Sequence, residues 1–598
     1  MFSGTVPTHE VRRATERDQH RERWAAVGLT ALVVVVIGVA LYAATRELWL
    51  PTGDDALMTI RSQDAAHQLP LTGPYSRFGF DHPGPMIFYL QFPFIHLFGT
   101  VGALIGSAVV AAGSVAAAGW VAWRRGRFWL SVLTSSVLML FVRAMGSTVV
   151  DPWNPWVALL PSFACILLAW SVWCRDWWAL PVLVALGSLA GQTHLSYAPF
   201  VGLMLVGAFG WTAYASLPMS SAPKTHPRRT ARRVLLGSGL LVVVLWLPPM
   251  VDQVRSANPN LTAITRHFAG NDPVEDRGGF TGGQRPGGAQ VVETVAAEMG
   301  VPSPWIGATE EIDAFTGEVV PASVLRLLPT IAIFAAAFVV GWRRRLTEAL
   351  RLQVVVAVLT VLGVASLSRI TGGVFPYLVR WLWVFGALAW LSSLWTFASA
   401  YQQRRGAPAR RVEVVALAVP AVACILTVGT LLGAVAPGPT GSRATAALIG
   451  TVADALPVGT VLVTADGADS IDVRAGLVAE LDRRGFDVVV PDDDAHRFGD
   501  SHAAGDRAVG ARLDVVSASD PSGFQPSADQ RLLTRYDPLS PAQRTTYERL
   551  RPRVEAAYAE AMNGKPVVDP LNATDRQTFG DLDQLGRPVA VYLRTVAD

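Results

Sequence analysis

Eleven apolar runs of membrane-spanning length constrain this chain more than any other feature. The first, WAAVGLTALVVVVIGVALYAA from Trp24 to Ala44, is about as long as a ~30 Å hydrocarbon core requires of an α-helix. The others lie near 101–123, 128–145, 157–174, 177–193, 197–217, 234–250, 323–342, 352–368, 377–400 and 412–435. With 51% hydrophobic and 16% charged residues, the 598 residues carry too little polar surface for one large soluble globule. The expected fold class is a polytopic α-helical membrane protein of about eleven spans. A signal peptide competes for the first run, but acids stand among the arginines before it, it exceeds an h-region in length, and no small-residue cleavage pattern closes it. It reads as a retained anchor.

The connections between runs fall into two alternating sets. WRRGR at 123–127, Arg175, KTHPRRTARR at 224–233, WRRRL at 342–346 and RRGAPARR at 404–411 are basic, which places them, with the arginine-bearing tail 1–23, on the cytoplasmic side of a cell membrane. Residues 45–100, 146–156, a turn near 194, 251–322, 369–376 and everything after 436 then face outward. The expected organisation is a cytoplasmic tail (1–23), a membrane domain (24–435) with large outer loops at 45–100 and 251–322, and an extracytoplasmic C-terminal domain (436–598). The net charge of +3 is a matter of loop topology, and no nucleic-acid partner is expected. Cys165, Cys174 and Cys424 lie in or beside apolar runs without metal-ligand or disulfide spacing. Scarce lysine against abundant arginine and alanine points to a GC-rich, actinobacterial source.

Within the loops, MIFYLQFPFIHLFG (86–99) is too short to cross and reads as an interfacial or re-entrant helix. GGFTGGQRPGGAQ (278–290) reads as a flexible stretch, either a lid or plain disorder. After the last span, GTVLVTADG, IDVRAGLVAELDRRG and FDVVVP predict strand, amphipathic helix and strand. With a further strand at ARLDVVS and a helix over 541–564, this is a small α/β domain. Its turn ADGADS lacks GxGxxG, so nothing marks nucleotide binding. The acids of PDDDAHRFGD suit a solvated loop better than an ion site.

The unusual polar clusters of the membrane half all fall in the outward set: Asp54 and Asp55, FDHPGP with Asp81 and His82, DPWNPW with Asp151, Trp153, Asn154 and Trp156, QTHLSY with Gln192, His194 and Tyr197, Asp252, and Arg369, Tyr377 and Arg380. Each has a structural reading. Trp153 and Trp156 suit an interfacial belt, Gln192 and His194 a helix end, and Arg369 a lipid phosphate reached by snorkelling. Arg380 lies inside a span, where a guanidinium calls for a buried anionic partner or a ligand. Asp54 is the candidate cap of a following helix, which leaves Asp55 to face a cavity.

The acid pair just after the first span, followed in the same large loop by a His-Pro motif that leads into a short apolar helix, resembles the GT-C superfamily of polyprenyl-phosphate-sugar-dependent glycosyltransferases. The likeness covers residues 24 to about 435 and is closest to the protein O-mannosyltransferase and lipid A aminoarabinose transferase group. The pair is Asp-Asp where that family often has Asp-Glu, His82 is followed by Pro83-Gly84 rather than two prolines, and the C-terminal domain matches no accessory domain of the mannosyltransferases.

The resemblance implies an inverting membrane glycosyltransferase with a polyprenyl-phosphate-linked sugar donor, an envelope glycan, lipid or protein as acceptor, and membrane lipids around it. It assigns the base to Asp55 with Asp54 as helper or cap. Arg380, Arg369 and His82 are the candidates for the donor phosphate, because guanidinium groups grip phosphate oxygens bidentately. Tyr75, Asp81, Trp153, Asn154, Trp156 and His194 are candidates for binding sugar or acceptor. The resemblance fixes no cofactor; a divalent cation between Asp54, Asp55 and His82 is conceivable, without a recognised ligand pattern. Arabinofuranose and mannose are the sugars that an actinobacterial source suggests. A transporter or flippase of an envelope precursor is the competing class, and a non-catalytic envelope scaffold a third.

Overall fold

The computed structural model describes residues 8–217, 227–269, 285–307, 323–405, 410–518, 524–562 and 571–595. In the first half, helices α1 (Thr8–Thr45), α2 (Gly53–Asp64), α3 (Met86–Phe98), α4 (Val101–Met145), α5 (Asn154–Val157), α6 (Leu159–Trp173), α7 (Ala179–Thr193), α8 (Ala198–Ser216), α9 (Pro227–Leu245) and α10 (Leu247–Arg255) follow in order. Next come α11 (Asn260–Ala269), α12 (Gly288–Met299), α13 (Leu328–Arg343), α14 (Thr347–Leu367), α15 (Pro376–Val379), α16 (Trp381–Arg405) and α17 (Arg410–Leu432). The expected short helix at 86–99 is α3, and residues 278–284 of the Gly-rich stretch lie outside the described residues.

Among the described residues eight helices are long and apolar enough to cross a membrane, nine if the bent pair α9 and α10 is one span. This is a multi-pass membrane protein. The tally differs from eleven in two places. Helix α7 has only 15 residues, short of the ~20 that a crossing takes. The stretch from Val101 to Val149 counts once, although Arg127, at φ 52° and ψ −140°, breaks α4 inside WRRGR. The packing shows what that break does. A Cβ at Gly119 would press on Thr30, whereas Phe128 and Val132 share a cluster with Leu29. Unbroken helix would separate residues 119 and 132 by about 20 Å, so the chain doubles back at Arg127.

The C-terminal part is an α/β domain built from α18 (Pro439–Ala455), β1 (Thr460–Asp466), α19 (Ala468–Arg483), β2 (Val488–Val489), α20 (Asp492–Phe498), β3 (Val509–Ser517), β4 (Arg531–Tyr536), α21 (Pro541–Met562), α22 (Ala573–Leu585) and β5 (Val589–Thr595). Its five-stranded sheet has the order β2-β1-β3-β5-β4. Strands β1, β2 and β3 are parallel, with Leu462 opposite Val489 and Arg512, as a βαβ crossover requires. Strand β5 runs antiparallel between β3 and β4. The segment PDDDAHRFGD, expected as a solvated loop, forms α20 instead. Three acids in its first turn and His496 and Arg497 in its last complement the helix dipole.

Helix α2 joins the two halves. Ala56, Leu57 and Ile60, on one face, bury in the core of the sheet domain beside Leu477, Val478 and Leu481 of α19. Met58, a hundred-degree step round the helix, packs with Ile87, Phe88, Val110, Val157 and Leu189 of the membrane half. Each large apolar side chain so buried contributes about 1.5–3 kcal/mol. Polar contacts set the register: the Ser62 hydroxyl donates to Gln91 Oε1 (3.2 Å), and Gln91 Nε2 to Ser107 (3.3 Å), tying α2 to α3 and α4. Upstream, the Trp49 indole donates to the Pro437 carbonyl (2.9 Å) and the Leu50 amide to Ser442 Oγ (2.8 Å).

Gly476 of α19 packs closely against the entry of α2. A Cβ there would stand 2.7 Å from Thr445 Oγ1 and 2.9 Å from the Pro51 carbonyl oxygen. Gly476→Val should therefore destabilise the purified protein by about 1–3 kcal/mol in thermal or denaturant unfolding, through overpacking.

Candidate active site

The N-terminus of α2 and the loop that follows it form the first wall of the site. In that loop the Gly73 amide donates to the His82 carbonyl (2.9 Å) and the His82 amide to the Pro74 carbonyl (2.8 Å), with Tyr75 bridged to Asp81. Asn260 clamps the turn: its Oδ1 accepts from the Asp81 amide (2.8 Å) and its Nδ2 donates to the Asp81 carbonyl (3.0 Å). Asp252 in turn accepts from the Asn260 amide (2.8 Å). The Asp81 carboxylate accepts from the Thr72 hydroxyl (2.6 Å) and does not line the cavity.

The cavity measures about 870 Å³. Ten of the residues singled out from the sequence line it: Asp54, Tyr75, His82, Trp153, Asn154, Trp156, His194, Arg369, Tyr377 and Arg380. Asp55 does not. The helix begins at Gly53 behind Thr52, so neither aspartate occupies the cap position, and Asp54 rather than Asp55 turns to the open space. Three further residues on the cavity wall, Arg77, Phe375 and Tyr558, were not anticipated, and Tyr558 comes from α21 of the sheet domain.

The acids form one electrostatic unit. Burial, then the charge of Asp151 and a hydrogen bond with it, pushes Asp55 well above the usual carboxylate range. Asp151 itself is raised to about 6 by burial, against the pull of the Trp153 amide that donates to its Oδ1 (2.8 Å). Burial and the nearby Asp472 carboxylate raise Asp54; Arg497 and the Trp153 indole oppose that rise. Asp54 and Asp55 thus divide their tasks by helix phase, one facing the cavity and the other sharing a proton-rich pocket with Asp151. Among the described residues no group of three His, Cys, Asp or Glu side chains could hold a metal ion.

The rest of the lining is cationic and aromatic. Arg380 is 3% exposed, and its Nη1 stands 3.8 Å from the carboxylate of Glu298 on α12, the buried anionic partner that its position in the sequence called for. Its guanidinium also lies over the rings of Trp383 (4.3 Å) and Trp156 (5.2 Å). Arg369 is exposed toward the cavity, and Arg77 lies over Phe375 (5.2 Å). Trp153 packs against Tyr377 (5.1 Å) and Trp156 (6.2 Å), while Asn154 Nδ2 donates to the Thr193 carbonyl (3.2 Å) and fixes the DPWNPW turn.

His82 and His194 face each other with ring centroids 4.5 Å apart. His82 Nδ1 accepts from the Leu195 amide (3.0 Å) and His194 Nδ1 from the Ser196 amide (3.3 Å), which leaves the proton of each neutral ring on Nε2. Burial holds both below the ordinary histidine range, His194 at about 3, so the pair is uncharged at neutral pH. Two neutral donors beside two or three guanidinium groups suit an anionic oxygen without a proton change.

Asp81 provides a control for the acids. Burial raises it to about 6, so between the unfolded value and about 6 the folded protein binds more protons, and stability falls as pH rises through that window. Asp81→Asn can keep the Thr72 contact and should stabilise the protein at neutral pH by up to about 3 kcal/mol, seen as a higher Tm that loses its advantage at acidic pH.

One cavity thus gathers a carboxylate, guanidinium groups, neutral imidazoles and stackable aromatic rings. No protein-family model matches the chain, and no curated protein matches it. Among solved structures it is similar to ArnT from Cupriavidus metallidurans bound to undecaprenyl phosphate, with 15% identity over 83% of this chain and 93% of that one and a TM-score of 0.48. The apo state of the same protein gives 15% identity, 83% and 94% coverage and a TM-score of 0.47. The Archaeoglobus fulgidus oligosaccharyltransferase in complex with Zn and sulfate gives 10% identity, 94% and 88% coverage and a TM-score of 0.41. None of these likenesses assigns a role to a residue of this chain.

Proposed function

We propose that the chain is an integral membrane glycosyltransferase that moves a sugar from a polyprenyl-phosphate donor to an envelope glycan, lipid or protein, with Asp54 as the base. One observation carries the reading: among the described residues a single carboxylate, backed by a second acid pair, opens into a cavity that arginine and tryptophan also line. The sequence resemblance described above supports the same class, with Asp54 in the place first given to Asp55.

In this reading the acceptor hydroxyl attacks the anomeric carbon as the bond from that carbon to the phosphate oxygen breaks. Its proton passes to Asp54, and the charge growing on the lipid phosphate is met by Arg380, Arg369 and the Nε2–H groups of His82 and His194. Trp153, Trp156 and Tyr377 offer faces for the sugar ring. A single displacement inverts the anomeric configuration. Mannose or arabinofuranose, the sugars that an actinobacterial source suggests, transferred on the outer face of the cell membrane, is the substrate class of this reading.

The test is a purified, reconstituted protein given radiolabelled polyprenyl-phosphate sugars and an envelope extract. A new glycosidic bond that depends on Asp54 supports the assignment. Labelled lipid that crosses the vesicle bilayer while no bond ever forms overturns it and makes the chain a transporter.

A further inference from the structure

The C-terminal domain reaches the acid pair directly. A Cβ at Gly53, the residue before Asp54, would stand 2.8 Å from Asp472 Oδ1, so the carboxylate of α19 lies against the first turn of α2. Arg497 of α20 approaches from another side. It lines a small cleft together with Asp54 and Tyr75, and its guanidinium lies over the Tyr75 ring at 5.2 Å. The ring of the neighbouring His496 is 5.3 Å from Tyr75. Arg497 is held from behind: its Nη1 stands 3.7 Å from Asp494 Oδ1, while Asp494 Oδ2 accepts from the buried Arg474 at 2.6 Å. Among the described residues Nε of Arg497 is buried without a hydrogen-bond partner.

We infer that Arg497 and Asp472 are positioning residues of opposite sign, by which the C-terminal domain sets the charge and orientation of the catalytic Asp54. The inference rests on Asp54 being the base, as proposed above. The domain is thus part of the reaction centre, and the membrane half alone holds an incomplete site. The charged groups around Asp54 are Asp55 and Arg61 on its own helix, Arg77 on the cavity wall, Asp151 before α5, Asp472 on α19 and Arg497 on α20. Tyr75, Tyr377 and Tyr558 complete the titratable surroundings.

The two residues make opposite demands on the pH profile. Transfer needs Asp54 ionised, so its rate rises with pH along an acid limb. Removing the guanidinium in Arg497→Met favours the neutral carboxyl and moves that limb to higher pH. Removing the like charge in Asp472→Asn favours the carboxylate and moves it to lower pH.

The experiment is the pH dependence of sugar transfer by the reconstituted full-length protein, for the wild type, R497M, R497K, D472N and D54N. On the acid limb R497M should lose about tenfold and recover at alkaline pH, R497K should lie between it and the wild type, and D472N should gain several-fold. Equal losses at every pH in R497M and R497K, with the limb unmoved, would show a merely structural contact and overturn the inference while Asp54 remained the base. Transfer by D54N at the wild-type rate would overturn the base assignment itself. Limbs that move the same way in R497M and D472N also overturn it, since charges of opposite sign cannot do that.

Discussion

Asp54→Asn should reduce sugar transfer by about a thousandfold and leave the fold intact. Asparagine keeps the size of the side chain and an oxygen that can accept from the Trp153 indole, so the geometry of the cavity wall persists. What disappears is the group that takes the acceptor's proton. Stability should respond in the other direction. Burial and the Asp472 charge raise Asp54, so the folded state favours the neutral form and the charged form is the less stable one at neutral pH. Removing that charge should hold or raise the Tm, measured in the same detergent as the activity. A lower Tm together with lost activity would mean that the aspartate holds the fold instead of reacting.

Arg380→Met should affect both quantities. Arg380 and Glu298 are 3% and 1% exposed, and Met removes one charge of that buried pair. Breaking a buried ion pair from one side costs about 3–5 kcal/mol. The same substitution removes a positive group from the wall that faces the leaving phosphate, so transfer should fall by about a hundredfold or more. The double change Arg380→Met with Glu298→Gln separates the two effects. It should recover much of the stability, because neither charge is then left without the other, and none of the transfer. Recovery of both would assign Arg380 a structural role alone.

The span-length apolar runs were legible because their signal is local: a hydrocarbon core imposes length and hydropathy on each crossing independently. The βαβ unit was legible for the same reason, with period-two and period-3.6 patterns carried by β1, α19 and β2. The phase of α2 was not. Asp54 and Asp55 are adjacent and chemically identical, and which one faces the cavity depends on the faces that Ala56, Leu57, Ile60 and Met58 bury against two different cores. Helix α20 could have been found, since the acids of its first turn and the basic residues of its last are a dipole signature. Asp151 stood within a motif already noted, but only its side-by-side placement with Asp55 makes it part of the acid unit.

The partners of Arg380 and Asp54 show the limit most clearly. The sequence alone demanded an anion for Arg380, because a guanidinium within an apolar run is costly without one. It offered no reason to choose Glu298, whose helix follows a long loop. Arg497, Asp472 and Tyr558 lie at the far end of the chain, in segments with the ordinary composition of a soluble α/β domain. By itself the sequence determined a many-helix membrane protein, a C-terminal α/β domain and a set of polar residues assigned to one side, because hydropathy, periodicity and loop charge are read over a few neighbouring residues. Tertiary structure decided which aspartate opens to the cavity, what neutralises the buried arginine, and that the C-terminal domain closes around the acid pair. Those outcomes follow from the packing of α2 between two cores, a contact between segments that share no local pattern.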